Sequence, residues 1–234
     1  MPIGSSPVQQ ASGSATSGSS VPITISAPTA GNNLYVMIEI RPFTTTVSSI
    51  SGGGVTWTKA GSVASSGFPD AEIWQGPNSS GSGTSITINT SGTITAAYAV
   101  CAEWNGLDSG GALDSAASNP ASNFNSSSTP SATPGITTAN AADLILIVYG
   151  CVTARTVSSG PTASFTGFTS PAATLMNCAY RVVSATGTYN PQWNLSGSSA
   201  WSCVSVAFKG AVTSAFIADD PDIIPQAVAR SSYF

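Results

Sequence analysis

Apolar and polar side chains alternate along most of the chain. Val21, Ile23 and Ile25 share one face of an extended segment, and the same spacing returns in Leu34, Val36, Ile38 and Ile40, in Val55 and Trp57, and in Ile86 and Ile88. It continues through Ile94, Tyr98, Val100 and Trp104, then the doubly apolar run Leu144 to Val148, then Met176, Cys178, Tyr180 and Val182, and finally Val204, Val206 and Phe208. A two-residue period marks strands, and no stretch sustains a helical period. Turn-forming clusters separate the runs at Gly31-Asn32-Asn33, Gly52-Gly53-Gly54, Pro77 to Gly83, Asn105-Gly106, Gly160-Pro161 and Ser196-Gly197.

The pattern predicts an all-β chain with one jelly-roll-like β-sandwich over residues 21–210, its strands divided between two sheets. Residues 1–20, rich in Ser and Gly, read as a flexible N-terminal arm, and residues 211–234 read as an extended C-terminal arm. The stretch from Ser115 to Asn140 has no charge and is rich in Ser, Ala, Asn and Pro. It is long for a loop, so it is expected to be either functional or a crossover hugging the surface. No tandem repeat is evident; Val55-Thr56-Trp57 and Gln192-Trp193 give only a short echo.

The C-terminal arm changes the picture most. The globular pattern ends at Phe208, yet Phe216, Ile217, Ile223, Ile224 and Phe234 follow, interleaved with Asp219, Asp220 and Asp222. Pro221 and Pro225 favour an extended backbone there. An apolar segment without a core of its own is expected to dock on a neighbouring subunit, its apolar anchors buried and its aspartates meeting basic groups at the rim.

Composition fits that expectation. Charged residues make up 7% of the 234 residues, against the quarter usual in globular proteins, while hydrophobic residues make up 41%. Little electrostatic repulsion opposes close packing with other subunits. The 6 basic and 10 acidic residues give a net charge of −4 with no basic stripe, so no nucleic acid partner is expected. Met1 to Gly4 carries no secretory n-region or h-region, so synthesis in a host cytoplasm without a signal peptide is expected. The longest apolar run, Leu144 to Tyr149, is too short for a membrane span, and no membrane partner is expected. Cys101, Cys151, Cys178 and Cys203 each sit within a strand-like run and read as buried thiols rather than disulfides; without His or paired Cys spacing, no zinc site is read.

Several motifs then fall in order: Gly31-Asn32-Asn33-Leu34-Tyr35-Val36, Gly54-Val55-Thr56-Trp57-Thr58, Glu72-Ile73-Trp74, and Ala102-Glu103-Trp104-Asn105-Gly106-Leu107-Asp108. Ala112-Leu113-Asp114, Thr137-Thr138, Asp143-Leu144-Ile145-Leu146, Tyr180-Arg181-Val182-Val183 and Trp201 to Lys209 follow. Over about residues 20–210 this order resembles a loosely defined family of β-sandwich domains from bacteriophage virion proteins and bacterial surface proteins. The resemblance implies a jelly-roll-like sandwich used for display, adhesion or capsid decoration, with no shared catalytic set.

Candidate chemistry is sparse. The absence of His removes Ser-His-Asp and Cys-His nucleophile arrangements. Glu39, Glu72 and Glu103 could in principle form a glycosidase carboxylate pair, but strand carboxylates more often pair with neighbours such as Arg41 and Arg181. Trp57, Trp104 and Trp201 lie in alternating runs and read as core. Tyr189 and Trp193, in the polar loop Tyr189 to Asn194, read either as glycan contacts or as a loop tucked over the sandwich end. Asp108 and Asp114 flank Ser109-Gly110-Gly111 and read either as weak calcium ligands or as Asx turns.

No cofactor and no catalytic residue are expected. The expected function is a non-enzymatic virion protein, a capsid decoration or cement subunit that binds the major capsid protein or other virion subunits. A homo-oligomer is expected, a trimer being one option. The alternatives are a glycan- or receptor-binding module of a tail fibre or cell-surface protein, and a subunit of an extracellular filament.

Overall fold

The computed structural model describes residues 1–116 and 118–211, which are built of antiparallel β-structure and turns. The first half contributes β1 (Gln9–Ala15), β2 (Ser20–Thr24), β3 (Asn33–Arg41), β4 (Val47–Gly52), β5 (Thr58–Ser65), β6 (Phe68–Gly76), β7 (Ser85–Thr90) and β8 (Ala96–Trp104). The second half contributes β9 (Ala121–Ser127), β10 (Ile136–Thr138), β11 (Asp143–Cys151), β12 (Val157–Ser159), β13 (Thr166–Gly167), β14 (Met176–Val183), β15 (Gly187–Tyr189), β16 (Asn194–Leu195) and β17 (Ser199–Lys209).

Two five-stranded sheets, ordered β1-β8-β3-β6-β5 and β9-β17-β11-β14-β13, pack face to face. Between them lies the central core, where Tyr35, Met37, Val100 and Trp104 meet Leu144, Leu146, Val204, Val206 and Phe208. The outer face of the first sheet is covered by the three-stranded sheet β2-β7-β4, so Leu34, Val36, Ile38 and Ile40 pack on Ile23, Ile86 and Ile88. The outer face of the second is covered by the ribbons β10-β15 and β12-β16, and Ile145, Ile147 and Tyr149 pack on Ile136, Trp193 and Leu195.

The all-β expectation holds, and the sheets pack as in a sandwich, but four layers and three cores replace the two sheets expected. The cause is visible in β3 and β11. Successive residues of both are apolar because each strand is covered on both faces, and a strand of that kind needs a third layer.

The second half repeats the strand order of the first. In chain order, β9, β11, β13, β14 and β17 take the sheet positions of β1, β3, β5, β6 and β8. β10 and β12 take those of β2 and β4, and β15 with β16 together replace β7. Asn190-Pro191-Gln192 divides β15 from β16, and a proline without an N–H interrupts a ladder there. Short sequence echoes fall at matching places. Thr46-Val47-Ser48-Ser49 at the start of β4 returns as Thr156-Val157-Ser158-Ser159 at β12, and Asn89-Thr90-Ser91-Gly92 across the end of β7 returns as Asn194-Leu195-Ser196-Gly197 across the end of β16.

The reading of residues 1–20 as a flexible arm is corrected. Gln9–Ala15 is the edge strand β1, paired with β8 from Gln9↔Glu103 to Ala15↔Ala97, and Val8 N–H also donates to the Glu103 carbonyl at 2.8 Å. Ahead of it, Trp104 Nε1 donates to the Gly4 carbonyl at 2.8 Å. Gln-Gln-Ala-Ser-Gly-Ser-Ala carries no β-branched or aromatic residue, so its strand character comes from β8 and from Ala11 and Ala15 resting on the second core. The expected C-terminal arm, with Phe216, Ile217, Asp219, Asp220, Asp222, Ile223, Ile224 and Phe234, lies outside the described residues.

Candidate interaction surface

Most charged groups of the fold are committed to its interior. Glu72 on β6 has one oxygen accepting from Val47 N–H at 3.0 Å and the other from Trp74 Nε1 at 2.5 Å and from Lys59 Nζ at 2.9 Å. It therefore ties β6 to β5 and to the first residue of β4 in the covering sheet. Asp70, two residues earlier on the same strand face, is buried beside it, and burial together with the Glu72 carboxylate pushes its carboxyl up to about 9. Glu39, on the opposite face of the sheet, is buried against Gly150 and lies 3.3 Å from Arg41 Nη2. Burial pushes its carboxyl up to about 8 against the opposing pull of Arg41, whose guanidinium also donates to the Cys151 and Val152 carbonyls. Glu103 accepts from Gln9 Nε2 at 2.6 Å, Thr29 N–H at 2.8 Å and Asn32 Nδ2 at 2.6 Å, which fastens the turn before β3 to β8. Glu39 lies on the central-core face of the sheet; Glu72 and Glu103 share the other face but stand opposite Ile38 and Leu34 on strands flanking β3, each held by its own set of donors.

The two aspartates read as calcium candidates are bound by backbone donors. Asp108 Oδ1 accepts from Gly110 N–H at 2.9 Å and Ala112 N–H at 3.1 Å, as in an Asx turn. Asp114 accepts from Ala116 N–H at 2.7 Å, from Ala139 N–H, from Asn140 N–H at 2.8 Å and from Asn140 Nδ2 at 2.7 Å. Both ends of the segment from Ser115 to Asn140 are thus pinned to one carboxylate, and that segment is a crossover carrying β9 and β10 rather than a free loop. Burial would raise the Asp114 carboxyl, but these donors outweigh it and hold it at about 2. Neighbouring Asp143 has no such donors, and burial beside Asp114 pushes it up to about 7. Among the described residues, no group of three or more His, Cys, Asp or Glu side chains is placed to hold a metal ion.

All five tryptophans are buried. For Trp57, Trp104 and Trp201 this agrees with the alternation; for Trp193 it corrects the glycan-contact reading. Trp193 is 2% exposed and lies edge-on to Tyr149 in the third core, because the Pro191 break turns the chain inward between the two ribbons. Tyr189 is half-buried under the Arg181 guanidinium, 4.8 Å from its ring centroid, and its hydroxyl donates to the Ala185 carbonyl. The four cysteines are free and buried.

What remains at the surface is an uneven charge. Of the acidic residues in the described chain, Glu39, Asp70, Glu72, Glu103, Asp114 and Asp143 are buried and Asp108 alone is not, whereas Arg41, Lys59, Arg155, Arg181 and Lys209 all reach solvent at least in part. Lys59 and Arg41 have carboxylate partners; among the described residues Arg155, Arg181 and Lys209 have none within ion-pair distance. Sequence reasoning missed this partition because it cannot be seen before burial is known.

Two surface features stand out. An open depression of about 620 Å³ lies between Gly52, Gly54, Val55, Thr56, Pro77, Asn78 and Ser80, with no charged side chain. A groove of about 410 Å³ runs between Ile3 and Ser5 on one side and Ser164, Thr166, Tyr180, Arg181 and Val182 on the other. Its apolar members Ile3, Tyr180 and Val182 are the partly exposed margin of the central core. Gly210 abuts Ile3, and Ala211 N–H donates to the Gly106 carbonyl at 2.9 Å, so the described chain ends beside this groove. Comparison with models of known families, with curated proteins and with solved structures gives no match for this chain.

Proposed function

We propose that this chain is a non-enzymatic structural subunit of a bacteriophage particle, a decoration or cement protein that holds neighbouring virion subunits through its C-terminal arm. The observation that carries the reading is the apolar and acidic sequence that follows the strands of the body. Three cores are built from residues of the described chain, and the sequence after it supplies Phe216, Ile217, Ile223, Ile224 and Phe234 as candidate apolar anchors. The surface of hydroxyls and amides, with most carboxylates turned inward, supports close packing in a lattice.

The duplicated strand order supports the jelly-roll part of this reading. Each half alternates its strands between a large and a small sheet as a jelly roll does, with the fifth strand hairpinned onto the sixth instead of joining the smaller sheet. Jelly rolls recur in viral shells, an argument by fold analogy. The test compares the full chain with a chain lacking residues 212–234 for occupancy on particles, with cryo-electron microscopy locating the bound subunit. Loss of occupancy with a retained β circular dichroism spectrum is the expected result; equal occupancy overturns the proposal.

A further inference from the structure

The groove beside the end of the described chain has an apolar floor, a cationic rim and a position that single out one occupant. Ile3, Tyr180 and Val182 form the floor, exposed only in part and continuous with the central core. Arg181 stands at the rim, its guanidinium spread over Tyr189 and donating to the Ala163 carbonyl at 2.5 Å, with no carboxylate beside it among the described residues. The segment that follows Ala211 has the complementary pattern, with Phe216 and Ile217 followed by Asp219, Asp220 and Asp222. Three of the chain's ten acidic residues lie in that segment, and a single basic residue, Arg230, accompanies them. The body buries all but one of its own carboxylates, and its Arg181 has no carboxylate partner among the described residues. A groove of about 410 Å³ falls within the usual range of binding pockets and has room for a large apolar side chain or two.

We propose that this groove is the seat of the chain's own C-terminal segment, residues 212–234, in the isolated subunit: Phe216 and Ile217 enter between Ile3 and Val182, and the aspartates lie over Arg181. The proposal rests on the reading of that segment as an interaction arm. The free subunit stores its arm against its own groove and releases it to a neighbour on assembly. A stored arm covers apolar surface that would otherwise promote association before assembly.

The test uses the full chain with one cysteine at exposed Ser164 and a second at Ala215, Ala218 or Ala227, joined by a short bismaleimide at low protein concentration. The four native thiols are buried, so the introduced pair reacts selectively. The expected result is a cross-link within one chain, located by peptide mass spectrometry, whose yield falls roughly fivefold when Asp219, Asp220 and Asp222 are changed to Asn. Arg181→Glu is expected to lower the yield likewise, and the Asn variants guard against a folding defect because they leave the body untouched. Absence of a cross-link in all three pairs, or a yield indifferent to the aspartates, overturns the proposal. Cross-links found only between chains overturn storage in the same subunit while leaving the arm's role in joining neighbours standing, and particle occupancy tests that role separately.

Discussion

Trp193 lies edge-on against Tyr149 with ring centroids 4.8 Å apart, which makes the tryptophan of the polar loop a member of the third core. Removal of a buried aromatic of this size leaves a cavity under the ribbons β10-β15 and β12-β16. Trp193→Ala is therefore expected to cost about 3–5 kcal/mol in urea unfolding, and Trp193→Phe substantially less. A cost below about 1 kcal/mol for the alanine variant would mean that the loop does not bury its ring.

Glu72 is a latch between layers, and its replacement is expected to separate a lost packing contact from stranded donors. Glu72→Ala removes the acceptor for Val47 N–H, Trp74 Nε1 and the Lys59 ammonium at once. Lys59 is about a third exposed and recovers water, whereas the other two donors are enclosed. The expected loss is about 3–5 kcal/mol, with Glu72→Gln falling between it and the wild type because an amide oxygen still accepts one bond. Equal stability of Ala and Gln variants in denaturant titrations would contradict this assignment.

The legibility of the fold in the sequence followed burial. Strands such as β3, β7, β8, β14 and β17 carry large apolar residues in alternation and were readable, as was the core role of Trp104 and Trp201. β1 and β9 were not, since Gln9–Ala15 and Ala121–Ser127 are edge strands of small and polar residues whose pairing is decided by β8 and β17. The layer count was available in principle. Leu34 to Ile40 and Leu144 to Tyr149 are apolar on both faces, which two sheets alone cannot cover. The duplication left only Thr-Val-Ser-Ser and Asn-x-Ser-Gly as traces, and the break at Pro191 hid the counterpart of β7. Trp193 was misplaced for the same reason, because the six residues Tyr189 to Asn194 around a proline carry no sign of the ribbon on either side. The groove was illegible, as it joins Ile3 to Ser164 and Val182 across the whole chain.

The cysteines give a chemical check on the cores. Burial pushes the Cys101 thiol up to about 12 and Cys151 to about 11, and raises Cys178 and Cys203 further still. A thiol that is both enclosed and unable to ionise near neutral pH is a poor nucleophile. The native protein is expected to release almost no thionitrobenzoate from a disulfide reagent at pH 8, and four equivalents per chain in guanidinium. Reaction of one thiol in the native state would reveal local opening at that strand, and fewer than four equivalents after unfolding under non-reducing conditions would reveal a disulfide.

The buried carboxyls fix the sign of the pH dependence. Glu39, Asp70 and Asp143 have folded values of about 8, 9 and 7, against 4.5, 3.8 and 3.8 for the same groups free in a chain. Between the lower and upper values the folded protein keeps protons that the unfolded chain has released, so stability falls as pH rises through this window. Asp114 works in the other direction. Its folded value of about 2 lies below 3.8, so its contribution is present above pH 3.8 and is lost as the pH falls toward 2. The melting temperature is therefore expected to peak at roughly pH 3 to 4, to decline steadily toward pH 9, and to drop below about pH 3. Asp70→Asn and Asp143→Asn mimic the neutral acids and should each flatten the alkaline decline without lowering the peak by much, whereas Asp114→Asn should lower the peak and weaken the acid limb. A melting temperature that rises from pH 5 to pH 9 in the wild-type chain would show that these carboxyls are ionised in the fold, and that the interior around β6 and β11 is wetter than its packing indicates.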